Sequence, residues 1–186
     1  MSKILRLCGK LTVIIIWSVI SIAVHADTVA TADEPKLRAA IVLGIIRYSQ
    51  WPNDVNLSGN LHVCSIGAPQ SEQTLIQVSG QHKYHDVSII INPLKTFQKS
   101  DNPCHALILG PDLDSKTLRD VLKIYSRHGL LIICDGCVIN GNTAMVTLVR
   151  RENRIAFDVN LMQSDAAGIS FSSALLELAL RVRAER

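Results

Sequence analysis

The chain has 186 residues, with 19 Lys and Arg against 16 Asp and Glu. Lys3, Arg6 and Lys10 supply the whole excess, so residues 27–186 carry 16 charges of each sign and no net charge. That balance excludes the basic footprint of a nucleic-acid-binding protein, and a chain of this length after position 26 is enough for one domain with a substantial core.

Residues 1–26 read as an export signal. A basic start is followed by the apolar run Leu11 to Val24, and Val24-His25-Ala26 puts small or apolar residues where a signal peptidase cuts. About fourteen apolar residues fall short of the roughly twenty that a bilayer span needs. Cleavage after Ala26 and export are therefore expected, with no membrane span in the mature chain. Cys8 precedes the apolar run, where no lipid-attachment cysteine can sit. Residues 27–33 are expected to form a flexible tether and residues 34–186 the folded domain.

Asp33 is the expected N-cap of a first helix, with Glu34 and Pro35 in its first turn and Leu37, Ala40, Ile41, Ile45 and Tyr48 on its apolar face. Trp51-Pro52 ends it, because proline has no N–H to continue the ladder and disfavours helix at the residue before it. Leu61 to Ile66 reads as a strand with Cys64 in its middle, stopped by Gly67-Ala68-Pro69. Gln70 to Val78 makes a short helix. His85 to Ile91 is a second strand ended by Pro93, and Cys104 to Leu109 is a third, apolar enough to be central. After Gly110-Pro111, Ser115 is the expected cap of a helix with Leu118, Val121, Leu122 and Tyr125 on one face, closed by His128-Gly129.

Leu130 to Ile133 is a continuous apolar run, as in a strand covered on both faces, and leads into Cys134-Asp135-Gly136-Cys137 with a turn signal at Asp135-Gly136. Asn140-Gly141-Asn142 is a further turn. Ala144 to Arg150 and Arg154 to Asn160 form a hairpin through Arg151-Glu152-Asn153, and a turn of helix follows near Gln163 to Ala167. Ser172 caps a final helix whose apolar face is Leu175, Leu176, Ala179 and Val182. This succession argues for a single α/β domain, a mixed β-sheet flanked by helices and held by disulfides.

Cys64, Cys104, Cys134 and Cys137 remain after export, and an even count in an oxidising compartment favours disulfides. Of the possible pairings, Cys64 with Cys104 and Cys134 with Cys137 is favoured. Loop entropy gives roughly 4 kcal/mol for the long loop and about 2 kcal/mol for the short one. The Cys134 to Cys137 spacing also matches a redox dithiol, but that chemistry needs a helix to begin at the first cysteine and lower its thiol pKa. Val138 to Asn142 reads as strand and turn instead, which makes a thiol oxidoreductase the weaker alternative. A zinc site needs two more ligands beside the pair. His82 and His85 offer an H-x-x-H spacing, but they read as loop histidines, and His62, His105 and His128 belong to no motif. No phosphate-binding glycine loop or nucleophile elbow occurs, and Ser172-Ser173 is explained by capping. No catalytic residue, cofactor or metal is expected. A small-ligand sensor with a pocket at the sheet edge is a further alternative.

These motifs together resemble the YfiR-like periplasmic proteins. The resemblance rests on the export signal, a first helix running from Lys36 to Ala40 and closing on Tyr48 to Pro52, the strand Leu61 to Ile66, and Cys104 to Leu109. It rests also on Arg154 to Leu161, Ala167 to Ile169 and Ser172 to Leu176, and covers roughly Leu37 to Val182. It implies a dimerising α/β domain without enzymatic chemistry that represses a membrane-anchored diguanylate cyclase from the periplasmic side, with the cyclase's periplasmic domain as partner. By the same resemblance Cys64 and Cys104 match a bridged pair, and Cys134 with Cys137 falls where a second bridge occurs. The second pair is closer together than the family pattern leads one to expect, which points to the more reducible bond.

Overall fold

The computed structural model describes residues 34–57, 59–94, 103–125, 128–138, 143–152 and 154–184. The expected export segment, tether, Asp33 cap and Asn140-Gly141-Asn142 turn lie outside the described residues. The first helix, α1, spans Glu34–Arg47 and buries Arg38, Ala39, Val42, Ile45 and Ile46. This differs from the expected face, since Leu37 and Tyr48 are exposed. The helix is apolar nearly all round, so helical period alone allows two faces. The one chosen is set by Arg38, which has an acid waiting for it inside.

β1 (Ser49–Gln50) follows at once and pairs antiparallel with β9 (Ser170–Phe171). Trp51 then turns inward. Its indole Nε1 donates to the His105 carbonyl at 3.1 Å, and its ring meets Tyr84 edge-on at 5.0 Å. The Tyr84 hydroxyl donates to the Ser49 carbonyl at 3.0 Å, and burial raises its pKa above the usual phenol range.

The main sheet is built from β2 (Asn60–Ile66), β3 (Lys83–Tyr84), β4 (Val87–Pro93), β5 (Ala106–Leu109), β6 (Leu131–Asp135), β7 (Val146–Arg151), β8 (Arg154–Asn160) and β10 (Arg181–Arg183). Their spatial order is β10-β8-β7-β6-β5-β2-β4-β3. Strands β4, β2, β5, β6 and β7 are mutually parallel, while β3 runs against β4, β8 runs against β7, and β10 is parallel to β8. The sheet is therefore mixed, as the sequence implied. Counted along the chain, the parallel strands lie in the doubly wound order 2-1-3-4-5.

Helix α2 (Glu72–Gln77) links β2 to β4, and α3 (Ser115–Tyr125) links β5 to β6. These crossovers travel in opposite directions along the sheet, and right-handedness puts their helices on opposite faces. α1 packs beside α2. The middle strands are buried throughout: every residue of β5 and β6 is covered, which is why they are continuous apolar runs rather than alternating ones.

α4 (Leu161–Ala166) starts where β8 ends, with the Asn160 side chain accepting the Gln163 N–H at 3.3 Å. α5 (Ser173–Leu178) is capped by Ser172, whose hydroxyl accepts the Leu175 N–H at 3.3 Å. The final helix is shorter than the spacing of Leu175, Leu176, Ala179 and Val182 predicts. Ala179 is already extended, and the Leu180 N–H goes to the Phe157 carbonyl at 2.8 Å, opening β10 against β8. A free sheet edge and an acid at Asp158 outcompete helical propensity over these residues.

Candidate functional site

Doubly wound sheets bind ligands where the strand order reverses, at the carboxyl ends of the strands. Here that point lies between β2 and β5, and it is filled. The Gly110 N–H donates to the Ile66 carbonyl at 2.8 Å and the Asp112 N–H to the Gly67 carbonyl at 3.0 Å. A Cβ on Gly110 would overlap backbone atoms of Gly67 and Pro69, and one on Gly67 would overlap the Leu113 side chain.

The carboxyl end of β6 is more informative. Asp135 closes β6 just before the expected turn and is 0 % exposed. Its Oδ1 accepts from Arg38 Nη1 at 2.7 Å, and its Oδ2 accepts the Ser71 N–H at 2.7 Å. Arg38 also donates from Nε to Glu34 Oε1 at 2.8 Å, and Glu34 Oε2 lies 2.8 Å from Arg150 Nη1. This chain of alternating charges pins the N-terminal turn of α1 and the start of α2 to the sheet. Gly136 then turns with φ +89°, and a Cβ there would sit 2.9 Å from the Gln70 amide nitrogen. Only after that turn does Cys137 return to Cys134, forming a disulfide with Cα atoms 5.5 Å apart.

On its other side this disulfide borders a cleft of about 170 Å³ shared with β8 and β10. Asp158 and Asn160 line it from β8, and Arg181 and Arg183 from β10, in register as Arg181 with Asp158 and Arg183 with Asn160. Asp158 Oδ2 accepts from Arg181 Nε at 3.1 Å and also from its Nη2. That hydrogen bonding holds the Arg181 guanidinium above its usual range. Oδ1 of Asp158 is buried with no hydrogen-bond partner among the described residues.

β10 is a terminal strand of the sheet, so one side of its backbone is unpaired by the sheet. Leu178, Leu180 and Val182 stand exposed on and before it, Leu178 by 70 %, and Val138 beside Cys137 is 79 % exposed. An open strand edge with apolar side chains and flanking arginines is suited to adding a strand or an acidic, apolar surface from another protein.

The remaining candidates lie elsewhere. Cys64 and Cys104 are bonded, with Cα atoms 5.6 Å apart and a separation of 40 residues, and both are buried. Cys64 sits on β2, two strands from Cys134, so the two disulfides are separate features. His82 and His85 flank β3, four strand spacings from β6, or roughly 19 Å. They cannot share a metal with the cysteines. Among the described residues no group of three or more His, Cys, Asp and Glu is placed to hold a metal. His105 Nδ1 accepts the His62 N–H at 2.9 Å, and His128 lies 3.4 Å from Asp54 at the surface. Among the described residues no helix begins at the Cys134–Cys137 pair.

Sequence reasoning missed β10 and the Arg38–Asp135 pair. An arginine in the middle of an apolar helix was the available signal for the second. A family model described as YfiR/HmsC-like matches residues 35–180. No curated protein matches the chain.

Proposed function

The chain belongs to the YfiR/HmsC-like family, and on that premise we propose that it represses a membrane-anchored diguanylate cyclase by binding the cyclase's periplasmic domain. The family is one of periplasmic regulators rather than catalysts. The observation that carries the reading to a surface is the open β10 edge, where Leu178, Leu180 and Val182 are exposed beside Arg181 and Arg183. Burying such side chains contributes roughly 1.5–3 kcal/mol each, enough for a few to anchor an interface.

The Cys134–Cys137 bond lines the cleft into which Arg181 and Arg183 of β10 also reach, which supports redox sensitivity of binding. Cys137 is partly exposed, whereas both cysteines of the long bridge are buried. A reductant therefore reaches the short bridge first. Its loss would free the segment carrying Val138 without opening the core. A homodimer is proposed through the same edge, so dimerisation and partner binding compete.

The test is co-purification of the exported chain with the periplasmic domain of a membrane-anchored diguanylate cyclase from the same cell. Leu178→Asp combined with Val182→Asp should abolish capture without lowering Tm. Capture retained by that double variant would show that the partner sits elsewhere.

A further inference from the structure

A second and larger cleft, of about 800 Å³, lies between α1, α2 and the β3–β4 hairpin, far along the sheet from β10. We propose that it is a binding site for a small anionic amphiphile, a carboxylate or similar head on an aliphatic body.

Three observations carry this. The first is size: the volume falls within the roughly 300–1,000 Å³ typical of small-molecule sites. The second is charge. Among the described residues the lining includes Lys36, Arg47, Lys83, His82 and His85 but no Asp or Glu, in a chain where acids and bases nearly balance. Arg47, Lys83 and His85 converge at one end, because the Tyr84 hydroxyl bond to Ser49 brings β3 beside the C-terminal turn of α1, where Arg47 stands, while Lys36 lies at the other end of the helix. The negative pole expected at that helix end is offset by local donors, with the Tyr48 N–H on the Gly44 carbonyl and the Ser49 hydroxyl on the Ile45 carbonyl.

The third observation is the wall. Leu43 and Ile89 give the cleft an apolar interior, and Gly44 opens it in the last turn of α1. A glycine inside a helix lowers helix stability relative to alanine. Among the described residues, apart from its chain neighbours and its own helix backbone, nothing lies within 4 Å of a Cβ built there, so no packing among them demands the small residue. What the glycine provides is space for an apolar body, next to cations that take its head. The site is independent of the β10 edge and of any cyclase.

Isothermal titration of the exported chain with sodium decanoate tests this, with decyltrimethylammonium as the charge control. Decanoate should bind saturably and the cationic control at least tenfold more weakly. Gly44→Leu, which fills the cleft, should weaken decanoate at least tenfold while Tm stays at or above wild type. Lys83→Glu, on the exposed rim, should do the same and serves if the first variant fails to fold. Equal binding of both amphiphiles, or decanoate affinity unchanged in both variants, overturns the proposal. So does a concentration-dependent dimer that Gly44→Leu abolishes in a chain that binds no decanoate, which would assign the cleft to a second copy.

Discussion

Removing Arg38 should be among the most damaging single changes on α1. Its guanidinium is 4 % exposed and lies 2.7 Å from Asp135, which is fully buried. Arg38→Met leaves that carboxylate with the Ser71 N–H as its remaining donor among the described residues. Breaking a buried pair in this way costs about 3–5 kcal/mol. For a domain of this size each kcal/mol moves Tm by roughly 2–4 °C, so the expected fall is about 6–20 °C. Asp135→Asn should cost less, because Glu34 still holds Arg38 at 2.8 Å and the new amide oxygen can still accept from Ser71. The double variant carries no stranded charge and should lose less than the two singles summed, by on the order of 2 kcal/mol. Urea unfolding of the four proteins gives the cycle. An Arg38→Met chain within about 1 kcal/mol of wild type, or losses that add in full, would refute the claim that this pair staples α1 to the sheet.

Serine replacement of Cys64 and Cys104 should lower Tm more than replacement of Cys134 and Cys137, because the closed loops of 40 and 3 residues differ by roughly 2 kcal/mol in entropy; equal losses in thermal melts would contradict this. Under limiting reductant, alkylation mapped by mass spectrometry should label Cys134 and Cys137 before the long bridge. Gly110→Ala drives a methyl into the backbone of Gly67 and Pro69 and should cost 1–3 kcal/mol or more, read as a lower urea midpoint. An unchanged midpoint would mean the switch point is not closed. Asp114 caps α3, and its carboxylate is held below its ordinary pKa by the Thr117 N–H, the Thr117 hydroxyl and the Lys116 N–H. A depressed folded pKa gives stability that is present above the unfolded value and lost as pH falls through the folded one. Asp114→Ala should therefore melt lower at pH 7, with the gap closing as pH falls below about 4.

The strands were legible because burial on both faces writes a continuous apolar run, as in Leu107 to Leu109 and Leu131 to Ile133. The β7–β8 hairpin was legible from alternation, and its register of Arg151 with Arg154 fits the polar turn between them. The cap of α3 was misplaced by one residue, from Asp114 to Ser115, because either side chain can accept the first amides. What stayed hidden depends on distant partners. The face of α1 is chosen by Asp135, 97 residues away, and the last strand exists because β8 offers an edge and Asp158 a counter-charge. Leu175, Leu176, Ala179 and Val182 do fit a helical period, and pairing overrode it only after Leu178. The exposed apolar side chains of the β10 edge were invisible for a related reason. Exposed and buried leucines look alike until the sheet edge is known.

The central claim is that this chain restrains a cyclase through its β10 edge, and cyclic di-GMP measured in cells that carry a membrane-anchored cyclase with a periplasmic domain tests it most directly. Deleting the gene should raise the level, wild type should restore it, and the Leu178→Asp, Val182→Asp variant should be exported, fold and fail to restore it. Cyclic di-GMP unchanged by the deletion, or full restoration by that variant, would contradict the account.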